Sequence, residues 1–217
     1  MVSSYTPTLT ALIDGLKPRA QSNPKVLAVA LPLESGLPCV QKEIDSIGKH
    51  GTVSKLLETE ATVKNVVMGM QQANWVHFAC HGVHDISNPT KSALLLAGHA
   101  RLTLSDISKL SLPHAELAYL SACQTATGAE DLSEEAVHLT AGMLLAGYRG
   151  VVGTMWSIRD DDAPKVADAV YAHLFKEPHP DPSQTAFALQ EAVRKLRNES
   201  KEKKSFLSWV PYIHVGI

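Results

Sequence analysis

The sequence predicts an α/β domain of three layers, with a mostly parallel central sheet and helices on both faces. Two observations carry this reading. Short, nearly continuous apolar runs at 25–33, 75–82, 117–123 and 150–157 have the length of strands buried on both faces. Between them lie stretches with apolar residues three and four apart, the pattern of helices with one buried stripe. Strand and helix alternate to the end of the chain, so the strands should lie in one sheet joined by right-handed crossovers.

The first strand is KVLAVALPL, closed by Pro32 and Glu34. Residues 39–49 follow with Val40, Ile44 and Ile47 on one helical face, and TVSKLL at 52–57 is extended and β-branched at its start, completing a β-α-β unit. Val63, Val66, Val67 and Met70 place a second helix over 61–71, leading into WVHFACHG at 75–82. After the polar turn DISNPTK, SALLLAG and LTLSDISKL read as a hairpin and a connector, where Thr103 or Ser105 caps a helical turn. LAYLSAC at 117–123 is the next strand. A polar loop with Gly128 precedes a helix over 134–148 that stops near Gly147 or Gly150. GVVGTMWS at 150–157 is a buried strand, and helices over about 162–176 and 184–199 flank the turn EPHPDPS. The last apolar stretch is FLSWVPYIHVGI. No repeat, low-complexity tract or linker divides the chain, so residues 1–217 read as a single domain.

Composition narrows the function. The chain has 217 residues, 45 % of them hydrophobic and 19 % charged, with a formal net charge of -2, which describes an ordinary globular protein with a real core. Its one dense basic run, Lys195 to Lys204, is interrupted by Glu199 and Glu202 and reads as a solvated helix end, so no nucleic-acid partner is expected. The odd set Cys39, Cys80 and Cys123 points to free thiols in a reducing, cytoplasmic setting. No segment has the length and apolarity of a membrane span, and no secretory leader is evident at the start.

In a parallel sheet, sites form outside the carboxyl ends of the strands. Two of those ends carry nucleophilic chemistry, WVHFACHG finishing in His81-Gly82 and LAYLSAC finishing in Cys123. A thiol becomes a useful nucleophile beside an imidazole that takes its proton and returns it to a leaving amine. The main-chain N–H groups of Gly82 and Cys123 are the candidate donors to a developing oxyanion, since a residue without Cβ lets a substrate carbonyl come close. A bland reading stands beside this one, because a cysteine in an apolar strand is commonly a small hydrophobe.

A metal reading rests on His77, Cys80, His81 and His84. In an unbroken strand, alternation puts His77 and His81 on one face and Cys80 on the other, so they do not converge, and no metal is expected. No phosphate-cradling loop occurs and no cofactor is expected. The triplet Asp160-Asp161-Asp162 follows GVVGTMWS at the opening of a helix. It has a structural reading, capping and dipole compensation, and a functional one, a carboxylate that receives a cationic substrate side chain.

WVHFACHG, SALLLAG, LTLSDI, AELAYLSACQTATG, HLTAGMLLAGYRGVVGTMWSIRDDDA and the closing WVPYIHVG, taken in this order and spacing, resemble the CHAT domain, a caspase-like domain often appended to tetratricopeptide repeats. The resemblance covers nearly the whole chain. It implies the caspase–haemoglobinase fold and a clan CD-type cysteine endopeptidase with His81 and Cys123 as its dyad, acting on protein or peptide substrates. The pattern is also similar to that of separase, in which an acidic residue after the tryptophan-containing strand receives a basic P1 side chain. Asp160 is the counterpart by position, with Asp161 and Asp162 as alternatives. CHAT domains sit in larger proteins beside repeat or nucleotide-binding modules that hold them inactive, so the chain is expected to be an isolated domain or a part of a longer protein. The competing expectation is a catalytically silent binding or scaffold module in a cell-death or immune-like assembly.

Overall fold

A computed structural model of the chain describes residues 2–6, 8, 13, 15–17, 23–31, 34, 36–83, 85, 87–121, 123–124, 136–199 and 206–217. In chain order its main elements are β1 (Val26–Ala30), α1 (Val40–Ile47), β2 (Val53–Leu57), α2 (Val63–Gln72), β3 (Trp75–Ala79), β4 (His81–Val83), β5 (Ala93–Leu96), β6 (Ala100–Thr103), α3 (Leu104–Ser108), β7 (Leu117–Leu120), β8 (Cys123–Gln124), α4 (Ala136–Ala146), β9 (Gly150–Thr154), α5 (Ala163–Leu174), α6 (Thr185–Glu199), α7 (Phe206–Trp209) and β10 (Tyr212–Gly216). The central sheet has six strands in the order β10-β9-β7-β3-β1-β2, and a smaller sheet has the order β6-β5-β4-β8.

The alternation of side chains along the strands divides the interior into two cores. Val26, Ala28 and Ala30 of β1, with Trp75, Leu117, Tyr119 and Val152, face one layer built by α1, α5 and α6. Leu27 and Val29, with Val76, Phe78, Ala118, Leu120 and Val151, face the other layer, built by α2, α3, α4 and the β5–β6 hairpin. Both faces of β1, β3, β7 and β9 are therefore dry, which is why these segments read as apolar runs rather than alternating ones. Connection handedness decides which helix goes where. The step from β1 to β2 runs toward one edge of the sheet, whereas the steps β2 to β3, β3 to β7 and β7 to β9 run toward the other. Right-handed crossovers thus put α1 on one face and α2, α3 and α4 on the opposite one.

The three-layer α/β class stands as the sequence predicts, with three differences in detail. The run at 75–82 is not one strand: it breaks at Cys80, and β4 belongs to the smaller sheet. The run at 117–123 likewise divides into β7 and β8. The sheet is parallel except at its edge, where β10 runs antiparallel to β9. Three helices, α5, α6 and α7, lie between these strands, and β10 starts at the carboxyl end of the sheet with Tyr212 opposite Thr154.

Local chemistry fixes the ends of the elements. Thr62 caps α2 by accepting the Asn65 N–H at 3.2 Å. Thr103 and Asp106 form a reciprocal capping box at α3, so of the two sequence candidates Thr103 is the cap. Gly147, at the end of α4, has φ +122°, and a Cβ there would stand 2.5 Å from the Leu112 carbonyl oxygen, so both backbone conformation and space demand glycine.

The edge strand β10 is covered in part by the N-terminal segment. Tyr5 forms a parallel bridge with Val215, its N–H donating to the His214 carbonyl at 2.9 Å. Ser4 Oγ donates to the Gly216 carbonyl at 2.7 Å and lies 2.8 Å from His214 Nδ1, which leaves the imidazole N–H as donor to Ser4. Burial pushes His214 from the usual 6.5 down to about 4, so it is neutral in the fold. An unfolded chain binds a proton at this histidine near pH 6.5, and the folded chain does so only near pH 4. Stability linked to His214 is therefore intact above pH 6.5, falls on acidification and levels off below pH 4. Urea denaturation should show a loss of about 3 kcal/mol between pH 7 and pH 4 from this group. A His214→Leu variant, whatever its stability at pH 7, should lack that share of the slope.

Candidate active site

The carboxyl ends of β1, β3, β7 and β9 lie side by side, and the segments that leave them form the site. β3 and β7 are parallel neighbours with Phe78 opposite Leu120. Three residues further along each strand, His81 of β4 stands opposite Cys123 of β8, and Gly82 opposite Gln124, again in parallel. The register therefore passes through the break unchanged. The two strands leave the central sheet as a pair and re-form their ladder outside it.

The reason for the departure is the β5–β6 hairpin. It joins β4 through the pairs Gly82–Leu94 and Val83–Ala93, and its Leu94, Leu96 and Leu102 are buried against the core that holds Phe78, Cys80 and Leu120. Burying these three leucines favours the pairing of β4 with the hairpin outside the plane of the central sheet. Cys80, at the break, is 1 % exposed and belongs to this apolar core. His81 is half-buried and Gly82 is buried between β5 and β8. His84 lies outside the described residues. The sequence argument against a metal assumed an unbroken strand, and the break at Cys80 removes that premise. Among the described residues, no three His, Cys, Asp or Glu side chains are grouped to hold an ion.

The acidic triplet separates into three environments. Asp162 is buried and paired with Lys165 at 2.9 Å and Arg159 at 3.9 Å. It occupies the cap position of α5 yet makes no capping bond, so the expectation that the triplet caps this helix does not hold for it. Asp161 is exposed and meets Arg159 at 3.4 Å. Asp160 is half-buried, and its Oδ2 accepts the main-chain N–H of Cys39 at 3.0 Å, linking the segment after β9 to the head of α1. Burial first, then the hydrogen bond to Asp160, pushes the Cys39 thiol up, so it stays protonated.

His77, a candidate metal ligand in the sequence, is instead paired with a buried acid that the sequence reading did not single out. His77 Nε2 and Glu43 Oε1 are 3.1 Å apart with both side chains sealed from solvent. The His77 ring stacks on Tyr119, centroids 4.7 Å apart and planes at 16°, with Tyr171 tilted at 5.7 Å. Burial, with smaller contributions from Glu43 and neighbouring tyrosines, pushes the Tyr119 hydroxyl well up, and burial with Glu43 does the same to Tyr171, so both remain neutral. One signal for this group was present in the sequence. Glu43 falls on the stripe Val40, Ile44, Ile47, at the spacing of a buried position.

The layers and the sheet order define a three-layer α/β protein of caspase-like fold. The chain belongs to the CHAT domain family, whose sequence pattern matches residues 2–217. Among solved structures it is similar to the Arg-specific cysteine proteinase gingipain R, with 12 % identity and a TM-score of 0.63 over 96 % of this chain and 51 % of that one. It is also similar to the complex of the pro- and mature domains of RgpB from Porphyromonas gingivalis, with 13 % identity and a TM-score of 0.57 over 88 % and 47 %. A third likeness is to the Saccharomyces cerevisiae separase–securin complex, with 16 % identity and a TM-score of 0.65 over 99 % and 13 %. The chain thus spans about half of the gingipain chains and a small part of the separase chain. No curated protein matches it in sequence. Among the described residues, no helix is long and apolar enough to cross a membrane.

The Glu43–His77 pair makes a direct test of the site's floor possible. His77→Leu leaves a carboxylate without its partner in a dry core and should destabilise the protein by about 3–5 kcal/mol. Removing both groups in Glu43→Leu/His77→Leu should recover part of that loss, which urea denaturation of the four proteins of the cycle would read directly.

Proposed function

We propose that the chain is a cysteine endopeptidase domain in which Cys123 is the nucleophile and His81 the general base and acid. The observation that carries this is the parallel pairing of His81 with Cys123. Residues opposite one another on neighbouring strands have backbones about 4.8 Å apart, within reach for an imidazole and a thiol. His81 would take the Cys123 proton, and the thiolate would add to a peptide carbonyl. The oxyanion would be received by the N–H groups of Gly82 and Cys123. Collapse expels the amine, protonated by His81, and leaves a thioester; water, deprotonated by His81, then releases the acid and restores the thiol.

Of the three aspartates, the surroundings favour Asp160 for a basic P1 side chain. Asp162 is enclosed by its own cations and Asp161 is turned to Arg159 at the surface, whereas Asp160 stands between two segments that leave the sheet at its carboxyl end. Residues 1–217 act as one domain in this reading. Its activity would be controlled from outside it, by a repeat or nucleotide-binding module of a longer parent chain or by a separate protein. Securin is the protein seen with separase in the structural relative, which makes control of the latter kind a reasonable model.

The test is a P1-varied peptide library offered to the unsubstituted protein and to Cys123→Ala, with any longer form run in parallel. Cleavage should prefer Arg or Lys at P1, fall by at least about a thousandfold in Cys123→Ala and His81→Ala, and lose its basic preference in Asp160→Asn. Cleavage by the longer form alone would locate activation in the added part. Silence from every form would sink the peptidase reading in favour of a binding or scaffold module.

A further inference from the structure

The segment between β1 and α1 is held at two places by carboxylates that accept main-chain N–H groups. Near its start Glu34 takes the Gly98 N–H at 3.2 Å and the His99 N–H at 3.0 Å, in the turn of the β5–β6 hairpin. At its end the Cys39 N–H donates to Asp160 Oδ2 at 3.0 Å. Cys39 is no loose donor. It immediately precedes α1, whose Val40, Ile44 and Ile47 are sunk in the core and whose Glu43 is locked to His77. The direction of the Cys39 N–H is therefore set by the packing of a whole helix.

Asp160 has no such anchorage from its own element, since it stands in the turn between β9 and α5. An aspartate there can adopt several rotamers, and the bond from Cys39 selects one. That bond uses only part of the acceptor capacity of a carboxylate, so a guanidinium or ammonium group is received in addition to Cys39 rather than in its place. We propose that Cys39 is a positioning residue for the P1 acid, its main-chain N–H holding Asp160 in the orientation that receives a cationic side chain. The proposal rests on the reading of Asp160 given above and deepens it, because it makes specificity depend on a backbone donor on the opposite wall of the site. Identity of the side chain at position 39 matters less than the presence of an N–H.

This dependence on the main chain gives a sharp experiment. The Cys39 N–H serves no helical bond, so Cys39→Pro removes the donor and Cys39→Ala keeps it; because Cys39 follows Pro38 in the turn closed by the Val40 N–H and the Leu37 carbonyl, a place that disfavours proline, the fold of Cys39→Pro is checked first. Binding of agmatine, a guanidinium probe for the P1 side chain, would be measured in the Cys123→Ala background, where cleavage plays no part. Asp160→Asn and Cys39→Pro should each weaken agmatine by roughly tenfold or more, as expected for a hydrogen bond to a charged group, while Cys39→Ala should stay within roughly threefold. If Cys39→Pro binds agmatine undiminished while Asp160→Asn loses it, the positioning role is overturned and the Asp160 reading stands. If Asp160→Asn has no effect, the Asp160 reading falls and the positioning role with it. Should Cys39→Pro fail to fold, amide hydrogen exchange replaces it. The Cys39 N–H should be protected in the unsubstituted protein and lose that protection in Asp160→Ala, and equal exchange in the two would overturn the proposal.

Discussion

The geometry of the site depends on one register. β3 and β7 run in parallel through the middle of the central sheet, and the pairing that sets Phe78 against Leu120 continues beyond the sheet to set His81 against Cys123. A slip of one residue would turn every side chain of a strand to the opposite face, and both faces here are packed with large groups, Trp75 and Tyr119 toward one layer and Phe78 and Leu120 toward the other. The cost of a slip is thus met across two cores at once. The relation between His81 and Cys123 inherits this rigidity although both residues stand outside the sheet that enforces it.

Floor and walls of the site are held by different forces. The floor is aromatic: Trp75 meets Tyr171 and Phe175 edge to face, the His77 ring lies flat on Tyr119, and the buried Glu43 carboxyl meets that imidazole. Such a pair contributes little net stability against apolar groups of the same shape, because both partners must be stripped of water. What it does contribute is direction. Glu43 sits in the first turn of α1 and His77 in the middle of β3, so their contact sets the helix against the strand at one rotation and one height.

Much of this was legible in the sequence, and the failures share a cause. Strands buried on both faces write themselves as apolar runs, and helices with one dry stripe write a period of three and four, so the layers and most boundaries follow from local pattern. The break at Cys80 leaves no such trace, since Ala79, Cys80 and Gly82 are as buried as the strand before them; it is imposed by leucines of a hairpin that pairs later in the chain. The antiparallel β10 was within reach, because the sequence shows more than one helix between it and β9. The Glu43–His77 contact was half legible, from an acid placed on a buried stripe. The bond from Cys39 to Asp160 joins residues 121 apart, and nothing in either neighbourhood announces the other. Sequence pattern reports what a residue buries against, and is silent on which distant polar group it meets.

The walls follow a different logic from the floor. The segment after β1 is tied to the hairpin by Glu34 and to the turn before α5 by Asp160, each through a charge-assisted bond to a main-chain N–H at partly exposed positions. Bonds of this kind are directional and exchange readily with water, whereas the apolar floor can be disturbed only by opening the core. On the peptidase reading proposed above, a chain that takes an extended peptide between its walls gains from that division. Parting the walls would cost a few surface hydrogen bonds and leave the register that sets His81 opposite Cys123 intact. Apolar walls would tie any opening between them to disruption of the packing that builds the site, so on the proposed reading polarity at Glu34 and Asp160 serves access as much as recognition.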